Sequence, residues 1–190
     1  MSGALQLPEK DEAKAREIRH AVELVDQVHG ANGLPLTPVR SVDFGSSRSY
    51  GRFDPETHEI EINSNPAHSR PVLATLHEIG HLLDYAALPG EKYATATYTD
   101  LLAPWWKAVY DSQRFTQLKA EGWDALLPKR ELFANSYAQF IATRTQDSAA
   151  LAELAALAKS EPEKVWAQED FQPIVRALEE LCQKMSWLKK

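Results

Sequence analysis

A chain of 190 residues has the material for one domain with a real core, and 44% hydrophobic and 25% charged residues is an ordinary globular composition. A formal charge of -6 and a pI near 5.5 argue against a nucleic-acid surface, which needs concentrated positive charge. A single cysteine, Cys182, excludes an intramolecular disulfide and any cysteine-based zinc site. The opening "MSGALQLPEKDEAKAREI" turns charged before an apolar stretch forms, so no secretory signal is expected. No run approaches the roughly 20 apolar residues of a membrane span. A cytoplasmic protein without membrane or nucleic-acid partners is expected, with a phage virion or export by another route as the alternatives.

In chain order, Ala15, Ile18, Ala21, Val22, Val25 and Val28 recur at helical spacing within 8–30, and "HGANGLP" supplies a stop. The stretch 39–63 reads as a small antiparallel sheet. "VRSVDFG", "SYGRF" and "HEIEIN" are its strands, and "DPET" is the turn joining the last two. A helix over 69–88 follows, with Ser69 as N-cap, Pro71 in the first turn and "LPG" as its end. Further helical patterns cover 99–122, 128–144, 147–159 and 170–187. One α+β domain over 1–190 is expected, a small sheet on a central helix followed by a mostly helical part.

The central helix carries "HEIGH". His77 and His81, four apart, project from one face and can reach a single zinc ion, while Glu78 can face a bound water as general base. Leu76, Ile79, Leu82 and Leu83 make this a core helix, where two imidazoles and a carboxylate are costly without partners. A metal supplies those partners, against the alternative that the motif is an accident of composition. A third helix histidine is missing, because Ala87 stands where the extended motif would place it, and the spacing of His58 and His68 recommends neither.

A better donor lies in "KRELFANSYAQFIATR" (129–144). There Glu131, Asn135 and Ala138 share one helical face with Ala134 beside them, so a carboxylate stands above small residues that allow close packing. Glu131 can complete a His-His-Glu site, or can be a solvent-facing salt-bridge residue, and Asn135 can support a ligand or the backbone. Asp84, seven after His77, can orient either histidine through a hydrogen bond or pair with an arginine. Gly80 suits close approach of another backbone element. In "PWWKAVYDSQRF" (104–115), Trp106, Val109 and Tyr110 recur at helical spacing, which favours a core helix over a substrate pocket.

"HEIGHLLDY" followed roughly fifty residues later by "ELFANSYAQF" resembles the Glu-ligand zincin metallopeptidases. The likeness is to the anthrax lethal factor-like group and the related peptidase-like domains of phage head-morphogenesis proteins. A second likeness is to the ImmA/IrrE regulatory proteases, through the "IN"-ending strand and the "ELFANSYA" segment, although the gap between the motifs is longer here. The resemblance covers about 50–141. It implies a zincin fold with one zinc ion on His77, His81 and Glu131, Glu78 as base, and hydrolysis of a protein or peptide laid along a sheet edge at 49–53 or 59–63. Lethal factor-like enzymes place an oxyanion-stabilising tyrosine shortly before the third ligand. This chain has none in "AEGWDALLPKR", which leaves Tyr137, Tyr85, Tyr98 and Tyr110 as candidates. The expectation is a zinc peptidase of narrow substrate range, with a non-catalytic zinc-binding module on the same scaffold as the alternative. The sequence sets no oligomeric state.

Overall fold

Ile18, Ala21, Val22 and Val25 lie on one stripe of a helix, and that stripe is fully buried against the rest of the chain. A computed structural model of the protein describes residues 1–7, 13–31, 33–65, 70–90, 92–97, 100–123 and 128–188. The expected cap Ser69, together with His68 and Tyr98, lies outside the described residues. The elements run β1 (Leu5–Gln6), α1 (Ala13–Val28), β2 (Thr37–Val42), β3 (Gly51–Asp54), β4 (Glu59–Asn63) and α2 (Pro71–Leu82). They continue with α3 (Ala103–Tyr110), α4 (Gln113–Ala120), α5 (Lys129–Thr145), α6 (Ser148–Ser160) and α7 (Gln168–Lys184). The class is α+β, as expected.

The hairpin forms where the alternation of "HEIEIN" put it. β3 and β4 pair antiparallel from Gly51↔Ile62 to Asp54↔Glu59. Asp54 closes the turn by accepting from the Glu56 and Thr57 amides at 2.8 and 3.2 Å, and His58 takes the left-handed step at φ 57°. The sheet as a whole corrects the antiparallel expectation. Its order is β1-β2-β4-β3, and β2 runs parallel both to β1 and to β4. The physical reason is the return through α1, which carries the chain back to the same end of the sheet and makes β1 and β2 parallel. β1 is two residues long, too short for any pattern to show.

Every residue of α2 except His77 is buried. Ile79, Leu76, Leu82 and the following Leu83 have no exposed surface, each contributing about 1.5–3 kcal/mol of burial. The helix packs against α1, α5, α6 and strands β3 and β4. A carboxylate from a distant element caps its start. Glu153 of α6 accepts from the Leu73 amide at 2.8 Å and the Val72 amide at 3.4 Å, filling two of the first-turn donors that a helix leaves open. A wide π turn, Leu83–Ala87, continues the helix to the expected stop at Leu88.

α5 crosses α2 at very short range because of one glycine. A Cβ on Gly80 would stand 2.9 Å from the Ala134 Cα, so the close approach read from the motif is present. The region 99–122 is two helices rather than one, broken at Ser112, whose hydroxyl caps α4 by accepting from the Phe115 amide. Trp105 and Val109 form the buried face of α3, with the Trp105 indole donating to the Ser136 hydroxyl at 3.1 Å. Tyr110, read as core, is 51% exposed. The aromatic stripe is real but rotated by one residue.

Candidate metal centre

Helix α2 presents His77 and His81 from consecutive turns, and α5 presents Glu131 from its own first turn. The Nε2 atoms of the two imidazoles are 3.1 Å apart, and each is 3.6 Å from Glu131 Oε2. A small tetrahedral ion with ligands at about 2.0–2.1 Å has ligand–ligand edges of about 3.3–3.4 Å. The three donor atoms therefore have the spacing of one face of such a coordination shell. They are the group among the described residues able to hold a metal ion. The fourth direction opens into a cleft of about 570 Å³.

The electrostatics show a site short of positive charge. Burial would raise the Glu131 carboxyl, but the two imidazoles outweigh it and hold the group far below the ordinary carboxylate range. Burial pushes the His77 imidazole down, yet Glu131 and Glu78 outweigh it and raise His77 above its usual value. Nδ1 of His81 is buried and has no hydrogen-bond partner among the described residues.

Glu78 does not join the three ligands. Its side chain crosses to the hairpin, where the Phe53 amide donates to it, and burial, its main influence, raises its pKa. The carboxylate occupies the space over Gly51. A Cβ there would lie 2.8 Å from Glu78 Oε1 and 2.9 Å from its Cγ. β3 is the outer strand of the sheet. Tyr50 accepts from the Asn63 amide at 2.9 Å and so faces inward, which by antiparallel alternation turns the peptide groups of Gly51 and Phe53 to the open side. The open side of β3 and the metal cluster thus share one cleft.

Asn135 lines that cleft one turn beyond Glu131, on the face expected of it. Two expected positions do not hold. Tyr137 is 2% exposed in the interior, its hydroxyl 2.8 Å from His29 Nε2 and its ring stacked with Phe133. Six residues past Glu131 puts it on another face of α5, so it cannot stabilise an oxyanion in the cleft. Asp84 is fully buried and spends both oxygens on Thr95, accepting from its amide at 2.8 Å and its hydroxyl at 2.5 Å. It anchors the turn Ala94–Ala96 rather than orienting either histidine.

That turn delivers a residue the sequence reading passed over. Tyr93 lines the cleft, its ring edge-on to His81 at 6.4 Å between centroids, with the Arg130 guanidinium over its face at 5.6 Å. Burial raises its pKa, so its hydroxyl stays protonated and able to donate. Tyr93 sits in an irregular stretch without periodicity, and no sequence signal singles it out. Gly51 had a signal, a glycine inside a strand pattern, which marks close approach by another group. The far end of the cleft is closed by Tyr50, whose hydroxyl bonds to Glu161 and to Arg70.

No helix among the described residues is long and apolar enough to cross a membrane. Compared with protein-family models, curated proteins and solved structures, the chain matches none.

Proposed function

We propose that this chain is a zinc-dependent peptidase of the His-His-Glu zincin type, acting on a peptide or protein. The observation that carries the reading is the convergence of His77, His81 and Glu131 beside a separate buried carboxylate and an open strand edge. Two imidazole nitrogens and one carboxylate oxygen are the donor set of a catalytic zinc site that keeps a position open. The likeness of both motifs to the Glu-ligand zincins supports the same choice.

Zinc, when bound, supplies an acidified water and polarises a scissile carbonyl. The chain's own residues do the rest. Substrate adds to β3 as an extended strand, pairing with the outward Gly51 N–H and Phe53 carbonyl, while the Phe53 amide serves Glu78 and the Gly51 carbonyl accepts from the Ser49 hydroxyl at 2.7 Å. Glu78 takes the water's proton and passes it to the leaving amine, a task suited by its raised pKa. Tyr93 donates to the developing oxyanion.

A non-catalytic zinc module would need the three ligands but not Glu78. Burying a second carboxylate with a raised pKa beside them favours catalysis. Elemental analysis after dialysis against metal-free buffer tests the metal: about one zinc per chain is expected in the wild type and none in His77→Ala. Glu78→Gln is expected to keep the zinc and lose hydrolysis of unfolded casein. A wild-type chain that takes up no zinc on addition, or a Glu78→Gln variant as active as wild type, would overturn the proposal.

A further inference from the structure

Resting on the peptidase reading, the charge of the cleft says what kind of peptide enters it. The chain carries -6 overall, yet among the described residues five cations line the cleft: Arg48, Arg52, Arg70, Arg130 and Lys164. Among the described residues its only acidic lining residues are Glu78 and Glu131, of which Glu131 belongs to the His77–His81–Glu131 cluster and Glu78 is turned to the hairpin. We infer that this cleft selects acidic peptide segments, with Arg48 and Arg130 as the residues that read the carboxylates.

The five cations are not equivalent. Arg52 is paired with Glu61 across the hairpin, its Nε 2.9 Å from Oε2. Arg70 and Lys164 share Glu161, at 3.0 and 2.6 Å, and both lie over the Tyr50 ring. Those three have their charge answered within the fold. Arg48 is exposed on the approach to β3 and makes no ion pair with any described residue. Arg130 is half-exposed, and its nearest carboxylate, Glu131 Oε1 at 3.5 Å, belongs to a group whose other oxygen faces both imidazoles. β3 and α5 both pack on α2, so Arg48 and Arg130 approach the cleft from separate walls. A strand laid along β3 has an exposed guanidinium on each, Arg48 without an ion pair among the described residues and Arg130 with only the carboxylate that the imidazoles share. Fields of one sign are focused inside a cleft, so these charges act there despite the acidic exterior, which repels the same peptide everywhere else.

Each exposed guanidinium–carboxylate pair is worth about two- to five-fold in affinity, and the effect shrinks with salt. The test uses the full-length, zinc-loaded Glu78→Gln chain, which binds without cleaving, and fluorescein-labelled deca-glutamate, deca-lysine and a glycine-serine decapeptide read by anisotropy. Deca-glutamate is expected to bind about ten-fold tighter than the neutral peptide at low salt and deca-lysine weakest, the gap closing as salt rises. Arg48→Glu should weaken deca-glutamate about two- to five-fold or more, and adding Arg130→Glu should abolish the preference when the variants are compared at equal zinc loading. Equal or reversed affinities, no binding of deca-glutamate, or a preference surviving the double reversal would overturn the inference. So would oligothymidylate competing as well as deca-glutamate, which would mark a nucleic-acid groove. The two readings fail separately. Charge-selective binding in a wild type that hydrolyses nothing sinks the peptidase reading alone, and hydrolysis indifferent to peptide charge sinks this inference alone.

Discussion

Gly80→Ala tests whether the α2–α5 contact sets the metal geometry. The added Cβ would meet the Ala134 Cα at 2.9 Å and both the Ala134 Cβ and the Tyr137 Cδ1 at 3.4 Å. Comfortable carbon contact begins at about 3.5 Å, and the nearest atom is backbone, so the helices must part by about 0.5–1 Å. Overpacking of this kind costs about 1–3 kcal/mol, offset by about 1 kcal/mol of improved helix propensity, for a net loss of about 0–2 kcal/mol. The sharper consequence falls on the metal. Ala134 is one turn from Glu131, and parting the helices draws Glu131 Oε2 away from two imidazole nitrogens now 3.6 Å distant. Zinc affinity, measured by competition with a chelating dye, should fall about 10- to 100-fold, the scale at which a mispositioned ligand is felt. Urea unfolding of the metal-free protein gives the stability change separately. Ala134→Gly should not rescue, because the clash is with Cα. A Gly80→Ala chain with unchanged zinc affinity and undiminished stability would refute the reasoning.

Gly51→Ala should displace the Glu78 carboxylate without touching a ligand, so zinc content stays at the wild-type level while casein hydrolysis falls about 100-fold or more; retained activity would show that Glu78 works from elsewhere. Cys182 is buried and its thiol is pushed up to about 12, so alkylation should proceed only as fast as the chain unfolds, and rapid labelling under native conditions would contradict this placement. Asp147 caps α6, its carboxylate accepting from the Ala150 and Ala149 amides at 3.0 Å and held below its usual value first by the Ala150 bond. A carboxyl lowered by folding stabilises above its unfolded pKa of about 3.9 and loses that contribution as pH falls through the native value. Asp147→Ala should therefore cost about 1 kcal/mol at neutral pH and flatten the acid limb of the stability curve, as read by urea midpoints across pH. An unchanged acid limb would remove Asp147 from that limb.

The His77–His81–Glu131 cluster was legible because helical periodicity decides which side chains share a face. Two histidines four apart and a glutamate above Ala134 and Ala138 had few other ways to pack, and the structure brings them together. The β3–β4 hairpin was legible from alternation and a proline-containing turn. Contacts set by remote elements were not. The parallel pairing of β1 and β2 depends on the return through α1, and the cap on α2 comes from Glu153, about eighty residues downstream of the amides it serves. Asp84 had an expected partner one turn away in the helix and found a better one in Thr95. Tyr137 lost the cleft because α5 is buried on most of its faces with apolar and polar residues intermixed, which leaves the direction of any one aromatic to tertiary packing, and Tyr93 reached it on a turn with no period to read. Trp105 rather than Trp106 faces inward for a similar reason, since adjacent tryptophans offer the helix two apolar stripes.

The Glu153 cap has a consequence for any attempt to transplant this centre. The two motifs span about seventy residues and look like a cassette that could be lifted out whole, yet the start of the histidine helix is held by a carboxylate beyond both. Leu154 and Leu157 supply a wall of the cleft, Glu161 holds Arg70, and Gln139 of α5 exchanges two hydrogen bonds with the Trp166 backbone. A graft cut after α5 would carry the ligands and leave behind the clamps that aim them. The smallest transferable unit runs through Trp166, and α6 with the segment after it is part of the centre's foundation.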